Sequence, residues 1–251
     1  TPYDTLLDMD EPDMTVRQLD AIFDQLREDL VPLVKRIEQS PDKPDTRILQ
    51  STYEVEKQKK FSLYILEQMG YDFDAGRLDE SAHPFATGLN LGDVRITTNY
   101  LPHDFSFSLF SSIHEGGHAL YEQNISPDLA HTNLGEGASM AIHESQSRFW
   151  ENMIGRSRPF WRRYFQDLQQ TFPEKLMGVD VEKFYRAVNE VKSSLIRIEA
   201  DELTYNLHIM IRYELEKALF NDGLAVSDLP DAWNEKYKEY LNVEPAHDGE
   251  G

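Results

Sequence analysis

The chain has 251 residues, enough for one large domain or two small ones, and 45 acidic residues against 25 basic ones give it a formal charge of -20. That charge argues against nucleic acid as a partner and opposes binding to anionic membranes. There is no cysteine, which removes disulfides, thiolate metal sites and cysteine nucleophiles together, so any metal must be held by His, Asp or Glu.

Residues 1–13 are polar and show no core-forming pattern. Thr15 with Gln18 makes a capping box, and Val16, Leu19, Ile22, Phe23, Leu26, Leu30, Val34 and Ile37 then recur at helical spacing as far as Ser40-Pro41. Ser51 with Glu54 is expected to open a second helix that stops near Gly70. Between residues 71 and 102 helical periodicity is lost, and residues 94–100 are β-branched and aromatic enough for a strand. Helix resumes near Ser106, with Phe105, Phe107 and Phe110 as packing residues. After a loop over residues 124–134 another helix is expected from about Glu136 to Ile154. Pro159 starts the next, which Pro173 interrupts. Residues 181–220 read as one long helix ending at Asn221-Asp222-Gly223, and a last helix covers about 227–241. The expected fold is mainly α: a helical core with a small β element, with no internal repeat and no linker that marks a domain boundary.

No apolar run approaches the roughly 20 residues needed to cross a bilayer, and no signal peptide opens the sequence, so no membrane partner is expected and the cytoplasm is the expected location.

His114-Glu115-Gly116-Gly117-His118 carries the chemistry. On a helix, positions i and i+4 share a face, so both imidazoles can reach one ion. Glu115 beside them can take a proton from a metal-bound water without being a ligand, the arrangement behind H-E-x-x-H. Each central glycine costs about 1 kcal/mol against alanine in a helix, so the pair implies close approach of a neighbouring helix or a substrate backbone. A catalytic zinc usually takes three protein ligands. Downstream of His118 the candidates are His131, Glu136, His143, Glu144 and Glu151. Glu144 is preferred because its apolar neighbours Met140, Ala141, Ile142, Phe149 and Trp150 would make an unpaired carboxylate expensive to bury. The alternative is a partly exposed helix glutamate. His143 points about 100 degrees away around the helix.

Five segments together resemble the M32 family of metallocarboxypeptidases, the Taq carboxypeptidase family. His83-Pro84-Phe85 is similar to its H-P-F motif, Asp93-Val94-Arg95-Ile96-Thr97 to D-x-R-x-T, and His114 to His118 to its H-E-x-x-H. His143-Glu144-Ser145-Gln146 is similar to H-E-[S/G]-Q, and Ile196-Arg197-Ile198-Glu199-Ala200-Asp201 to I-R-x-x-A-D. The family has a further motif, G-x-x-Q-D-x-H-W, and a helical N-terminal region. The resemblance therefore implies that residues 1–251 are a single catalytic-core segment of a longer enzyme, ending about where that motif begins.

The resemblance implies a zinc or cobalt ion held by His114, His118 and Glu144, with Glu115 as general base. The implied reaction is release of C-terminal amino acids from peptides with a free carboxylate. For the oxyanion the resemblance implies a donor such as His83, or one from the C-terminal part of the longer enzyme. Arg95 and Arg197 are candidates for the substrate carboxylate, Arg95 otherwise pairing with Asp93, and Arg197 with Glu199, Asp201 or Glu202. Asp201 is an acceptor orienting a metal-bound imidazole, or else a surface aspartate. A homodimer is implied for the full-length protein. Two other readings stand beside this one: a helical zinc oligopeptidase or dipeptidase, and a metal-binding fragment without catalysis of its own.

Overall fold

The structure, a computed structural model, describes residues 1–247 and Glu250; the rest of the terminal stretch, where the next family motif is expected to begin, lies outside the described residues. In chain order the α-helices are α1 (Pro2–Asp10), α2 (Val16–Glu38), α3 (Val55–Met69), α4 (Phe105–Gln123), α5 (Met140–Arg148), α6 (Arg158–Thr171), α7 (Pro173–Leu176), α8 (Val181–Val188), α9 (Thr204–Lys217) and α10 (Leu229–Leu241). Between α3 and α4 lie the strands β1 (Leu78–Glu80), β2 (Ala86–Asn90) and β3 (Asp93–Thr98). The fold is thus mainly α with a small sheet. No helix among the described residues is long and apolar enough to cross a membrane.

The chain divides into two compact units, Pro44–Val188 and the pair of segments Thr1–Lys43 with Asn189–Gly251. In the first, α4 is the central helix, packed by α3, α5 and β3. One side of it enters an aromatic core in which Phe105, Leu109, Phe110 and Ile113 meet Phe61, Trp161, Phe165 and Phe184. Ala119 packs with Leu66, Tyr71, Val94 and Ile96 in a second cluster between helix and sheet. The strand order is β1-β3-β2, with β1 parallel and β2 antiparallel to β3. Only β3 has a strand-like sequence; its neighbours are short and become strands by pairing with it.

In the other unit, α2, α9 and α10 bury Leu30, Val34, Leu207, Met210, Ile211, Tyr237 and Tyr240 together. Thr15 caps α2 as its sequence predicts. The first residues differ from expectation. α1 forms and docks through Tyr3, which stacks on Phe220 and donates from its hydroxyl to Glu216 at 2.6 Å. One aromatic anchor suffices where no apolar repeat exists.

Three helix boundaries also differ, each for a local reason. Residues 51–54 stay extended because Tyr53 is buried and its N–H donates to the Pro102 carbonyl at 2.7 Å, so α3 begins after Glu54. α5 begins only at Met140, where the Ser139 hydroxyl accepts from the Ile142 N–H. The long helix expected over residues 181–220 breaks between α8 and α9. There the Asp201 carboxylate accepts from the N–H groups of Lys192, Leu203 and Thr204 and from the Thr204 hydroxyl. The Glu38 carboxylate accepts from the Ser193 N–H. Side chains that satisfy backbone donors in this way compete directly with the helical ladder.

His208, on α9, has no exposed surface; its Nδ1 lies 3.0 Å from the Tyr237 hydroxyl and its Nε2 has no hydrogen-bond partner. Burial, reinforced by the Arg212 charge, lowers its pKa from 6.5 to about 4. It is therefore neutral in the fold and protonated in the unfolded chain over that interval. Its contribution is present above the unfolded value and lost as pH falls below it. Unfolding by urea at about pH 7.5 and about pH 4.5 should show wild type losing roughly 2–3 kcal/mol more than His208→Gln over that interval. Equal losses would contradict this reading.

Candidate metal centre

α4 and α5 meet at a contact that only a glycine permits. A Cβ on Gly117 would stand 2.7 Å from the Ser147 Cα and 2.9 Å from the Gln146 carbonyl oxygen, both backbone atoms of α5. On Gly116 a Cβ would face the Leu66 Cδ2 at 2.6 Å and the Met69 Cε at 3.0 Å, the ends of flexible side chains. The glycine pair therefore marks the close helix approach that the sequence implied, and Gly117 is the position that cannot yield.

That approach carries Glu144 to the imidazoles. Its Oε2 lies 3.5 Å from the His114 Nε2 and 3.2 Å from the His118 Nε2. One ligand atom from each of His114, His118 and Glu144 lies within 4.8 Å of the others. Ligands about 2.1 Å from a tetrahedral ion stand roughly 3.4 Å apart, and the two observed separations bracket that value. Two imidazole nitrogens and a carboxylate oxygen are also the donor types that suit zinc-like ions. The residues fit a metal.

The outward nitrogens are held as well. His114 Nδ1 lies 2.9 Å from Oε2 of Glu151, which also accepts from Arg148 at 3.1 Å, while its Oε1 accepts from Arg156 at 3.2 Å. His118 Nδ1 lies 2.6 Å from His143 Nδ1, and His143 Nε2 lies 3.0 Å from Oε1 of Glu122. Glu144 itself accepts from the Arg148 Nε at 2.9 Å and the Ser147 hydroxyl at 3.0 Å. Glu151 sits on a π-helical continuation of α5, Phe149–Gly155. Arg156 just beyond it lies over the Phe110 ring and donates to the Val188 carbonyl, which fixes that continuation against the core.

These contacts set the charges in the metal-free protein. Burial pushes the His114 imidazole down, but Glu144 and Glu151 outweigh it and raise its pKa to about 9. Burial pushes Glu144 up, yet hydrogen bonds from His114 and His118 take it far below the usual carboxylate range. Glu151 is lowered likewise, by His114 and the two arginines against its burial. Glu115 is the exception. It is 7 % exposed, and its burial, aided by the Glu144 and Glu151 charges, raises its pKa to about 7 even with His114 opposing.

The structure thus brings together His114, Glu115, His118 and Glu144. Most of the apolar setting predicted for Glu144 is turned to solvent: Met140 is 59 % exposed and Phe149 47 %, and Ile142 is also exposed, while Trp150 packs on the core. Partners of opposite charge or polar character, rather than an apolar burial cost, hold this carboxylate. His83 is exposed in the turn between β1 and β2, where its carbonyl accepts from the Ser81 hydroxyl. Arg95 spends its fork on Asp93, through bonds of 2.8 and 2.7 Å. Arg197 and Asp201 belong to the other unit. Arg197 donates to the Tyr205 hydroxyl at 2.8 Å, and Asp201 is engaged by the donors that begin α9. The groups that stand against the outward imidazole nitrogens are Glu151 and His143. Sequence reasoning passed over Glu122 and Glu151 in this role, although His114, His118 and Glu122 repeat at intervals of four, and Glu151 lies two turns beyond Glu144.

The profile of the family described as Carboxypeptidase Taq (M32) metallopeptidase matches residues 1–251. Carboxypeptidase 1 of Bacillus subtilis is 54% identical over 250 residues, covering 100% of this chain and 50% of that protein. Thermostable carboxypeptidase 1 of Thermus thermophilus is 50% identical over 243 residues, covering 97% of this chain and 48% of that protein. The crystal structure of the M32 carboxypeptidase of Deinococcus radiodurans superposes with a TM-score of 0.96 at 46% identity, over 98% of this chain and 50% of that one. The chain spans about half the length of the curated relatives it matches.

The two glycines should respond differently to alanine. Gly117→Ala forces α4 away from the α5 backbone, so unfolding stability should fall by about 1–3 kcal/mol, and an added metal ion should raise the melting temperature less than in wild type. Gly116→Ala displaces only side-chain ends and gains helix propensity, so it should stay within about 1 kcal/mol of wild type. Calorimetry with and without zinc checks both; equal behaviour of the two variants would contradict the helix-contact account.

Proposed function

The chain belongs to the Carboxypeptidase Taq (M32) metallopeptidase family, and on that premise we propose that it carries the catalytic centre of a zinc-dependent carboxypeptidase acting on peptides with a free C-terminal carboxylate. The observation that supports this most directly is the convergence of His114, His118 and Glu144, ligand atoms within 4.8 Å of one another, with the buried Glu115 next to His114 on the same helix.

In this reading His114 and His118 offer their Nε2 atoms and Glu144 its Oε2 to the ion. When bound, the ion supplies a positive charge that polarises a peptide carbonyl and acidifies a water. Glu115 takes the proton of the attacking water and returns it to the departing peptide nitrogen. Burial raises its carboxyl pKa, and a cation bound beside it would favour the ionised form that a base requires. Glu151 and His143 hold the imidazoles from behind, so the donor atoms need no rearrangement. For the substrate carboxylate the motif likeness nominates Arg197 and Arg95. Arg95 has two of its donors on Asp93, and Arg197 has one on the Tyr205 hydroxyl. His83 is the candidate oxyanion donor, and its exposure leaves it accessible to substrate.

Two measurements test this. Glu115→Gln should retain zinc while peptide hydrolysis falls by about 10²–10⁴-fold; unchanged hydrolysis would remove Glu115 from the reaction. Blocking the peptide's C-terminus as an amide should abolish cleavage, whereas undiminished cleavage would identify an endopeptidase. For the pH dependence, Glu115 must be ionised to act as base and its pKa is raised to about 7 in the metal-free protein. A neighbouring cation lowers that value, so kcat/KM should fall on the acid side along a limb at or below pH 7, and this limb should vanish in Glu115→Gln.

A further inference from the structure

His143 directly precedes a metal-ligand candidate, yet its ring turns away from the ion position and takes part in a relay. His118 Nδ1 and His143 Nδ1 stand 2.6 Å apart, and His143 Nε2 stands 3.0 Å from the Glu122 carboxylate. Two imidazole nitrogens at that separation cannot both be bare, nor both be protonated, so one proton lies between them. An ionised Glu122 only accepts hydrogen bonds, so His143 Nε2 carries a proton and donates it. An ion at His118 Nε2 requires that nitrogen to be bare, which puts the ring's proton on Nδ1, where it is donated to His143 Nδ1; without an ion the same Nε2 faces Glu144 at 3.2 Å and can donate to it.

The relay is built on the same two helices as the ligands. Glu122 follows His118 by one turn on α4, and His143 lies beside Glu144 on α5. The His143 ring is fixed in orientation: the Tyr121 ring meets it edge-on at 5.1 Å, and a Cβ on Gly137 would come within 2.8 Å of its Cδ2. Tyr121 is itself tied down by accepting from the Ala138 N–H at 3.1 Å. His114 receives the corresponding support from a carboxylate, Glu151. His118 receives it through a neutral ring whose own tautomer depends on a carboxylate one step further out.

We infer that His143 and Glu122 are positioning residues that fix the tautomer of His118 and so present its Nε2 to the metal. This rests on the metal-centre reading above. The test uses the whole chain, labelled with ¹⁵N at histidine and loaded with one equivalent of zinc. A through-hydrogen-bond nitrogen–nitrogen coupling between His118 Nδ1 and His143 Nδ1, with a proton on His143 Nε2, is the expected signature. Its absence would overturn the relay. Zinc affinity, read by chelator competition, should weaken by about 10–100-fold in His143→Leu. His143→Asn, which keeps an acceptor on the His118 side, should recover most of that loss, and Glu122→Leu should weaken binding less than His143→Leu. Affinity unchanged in His143→Leu, or an Asn variant as weak as the Leu variant with circular dichroism intact, would reduce His143 to a packing role. Wild type failing to bind zinc would instead defeat the metal-centre reading itself.

Discussion

Helix α5 lies against α4 because residue 117 has no side chain, and the site follows from that contact. With the α5 backbone 2.7 Å from where a Cβ would be, no larger residue can occupy the position without moving a helix. The contact sets the last turns of α5 against the turn of α4 that bears both imidazoles. Glu144 and His143 then arrive together, one facing the two Nε2 atoms and the other facing the Nδ1 of His118. The helix propensity lost at two adjacent glycines is about 2 kcal/mol in all, small against what a packed aromatic core on the other side of α4 contributes.

The charges around this contact form a balanced set rather than a row of separate ion pairs. Glu115, Glu144 and Glu151 crowd one small volume, and Arg148 and Arg156 with the two imidazoles counter them. Glu144 and Glu151 have strong partners and stay ionised. Glu115 does not, and its carboxyl is raised toward neutrality. The same environment thus separates two kinds of carboxylate, those that hold a cation and one whose proton can move. The long-range position of these groups depends on Arg156, whose stacking on Phe110 and bond to the Val188 carbonyl join the π-helical turn to the core.

The pairing of His114 with His118 is legible in the sequence because it rests on helical spacing within one short segment, and the structure brings Glu144 to the same pair. The sequence also reveals the capped start of α2 and the presence of β3. What it conceals depends on partners far away in the chain. The strands β1 and β2 have little strand character of their own and exist by pairing with β3. Tyr53, Ser139 and Asp201 each redirect backbone donors, and so move a helix boundary that periodicity alone would place elsewhere. The apolar setting expected for Glu144 is only partly there, since Met140, Ile142 and Phe149 are exposed while Trp150 packs on the core, and its charge is met by Arg148, Ser147 and the imidazoles. Glu151 is legible only as a candidate ligand and Glu122 not at all, because their contacts with His114 and His143 come from the packing of α5 and its continuation on α4.

The proposed chemistry depends on His114, His118 and Glu144 binding one ion together. The X-ray absorption spectrum of the chain loaded with one equivalent of zinc tests this most directly. The account predicts a first shell of nitrogen and oxygen at about 2.0–2.2 Å, with the outer scattering of two imidazoles, and loss of one imidazole in His118→Ala. A zinc shell with one imidazole or none in the wild-type protein would contradict it.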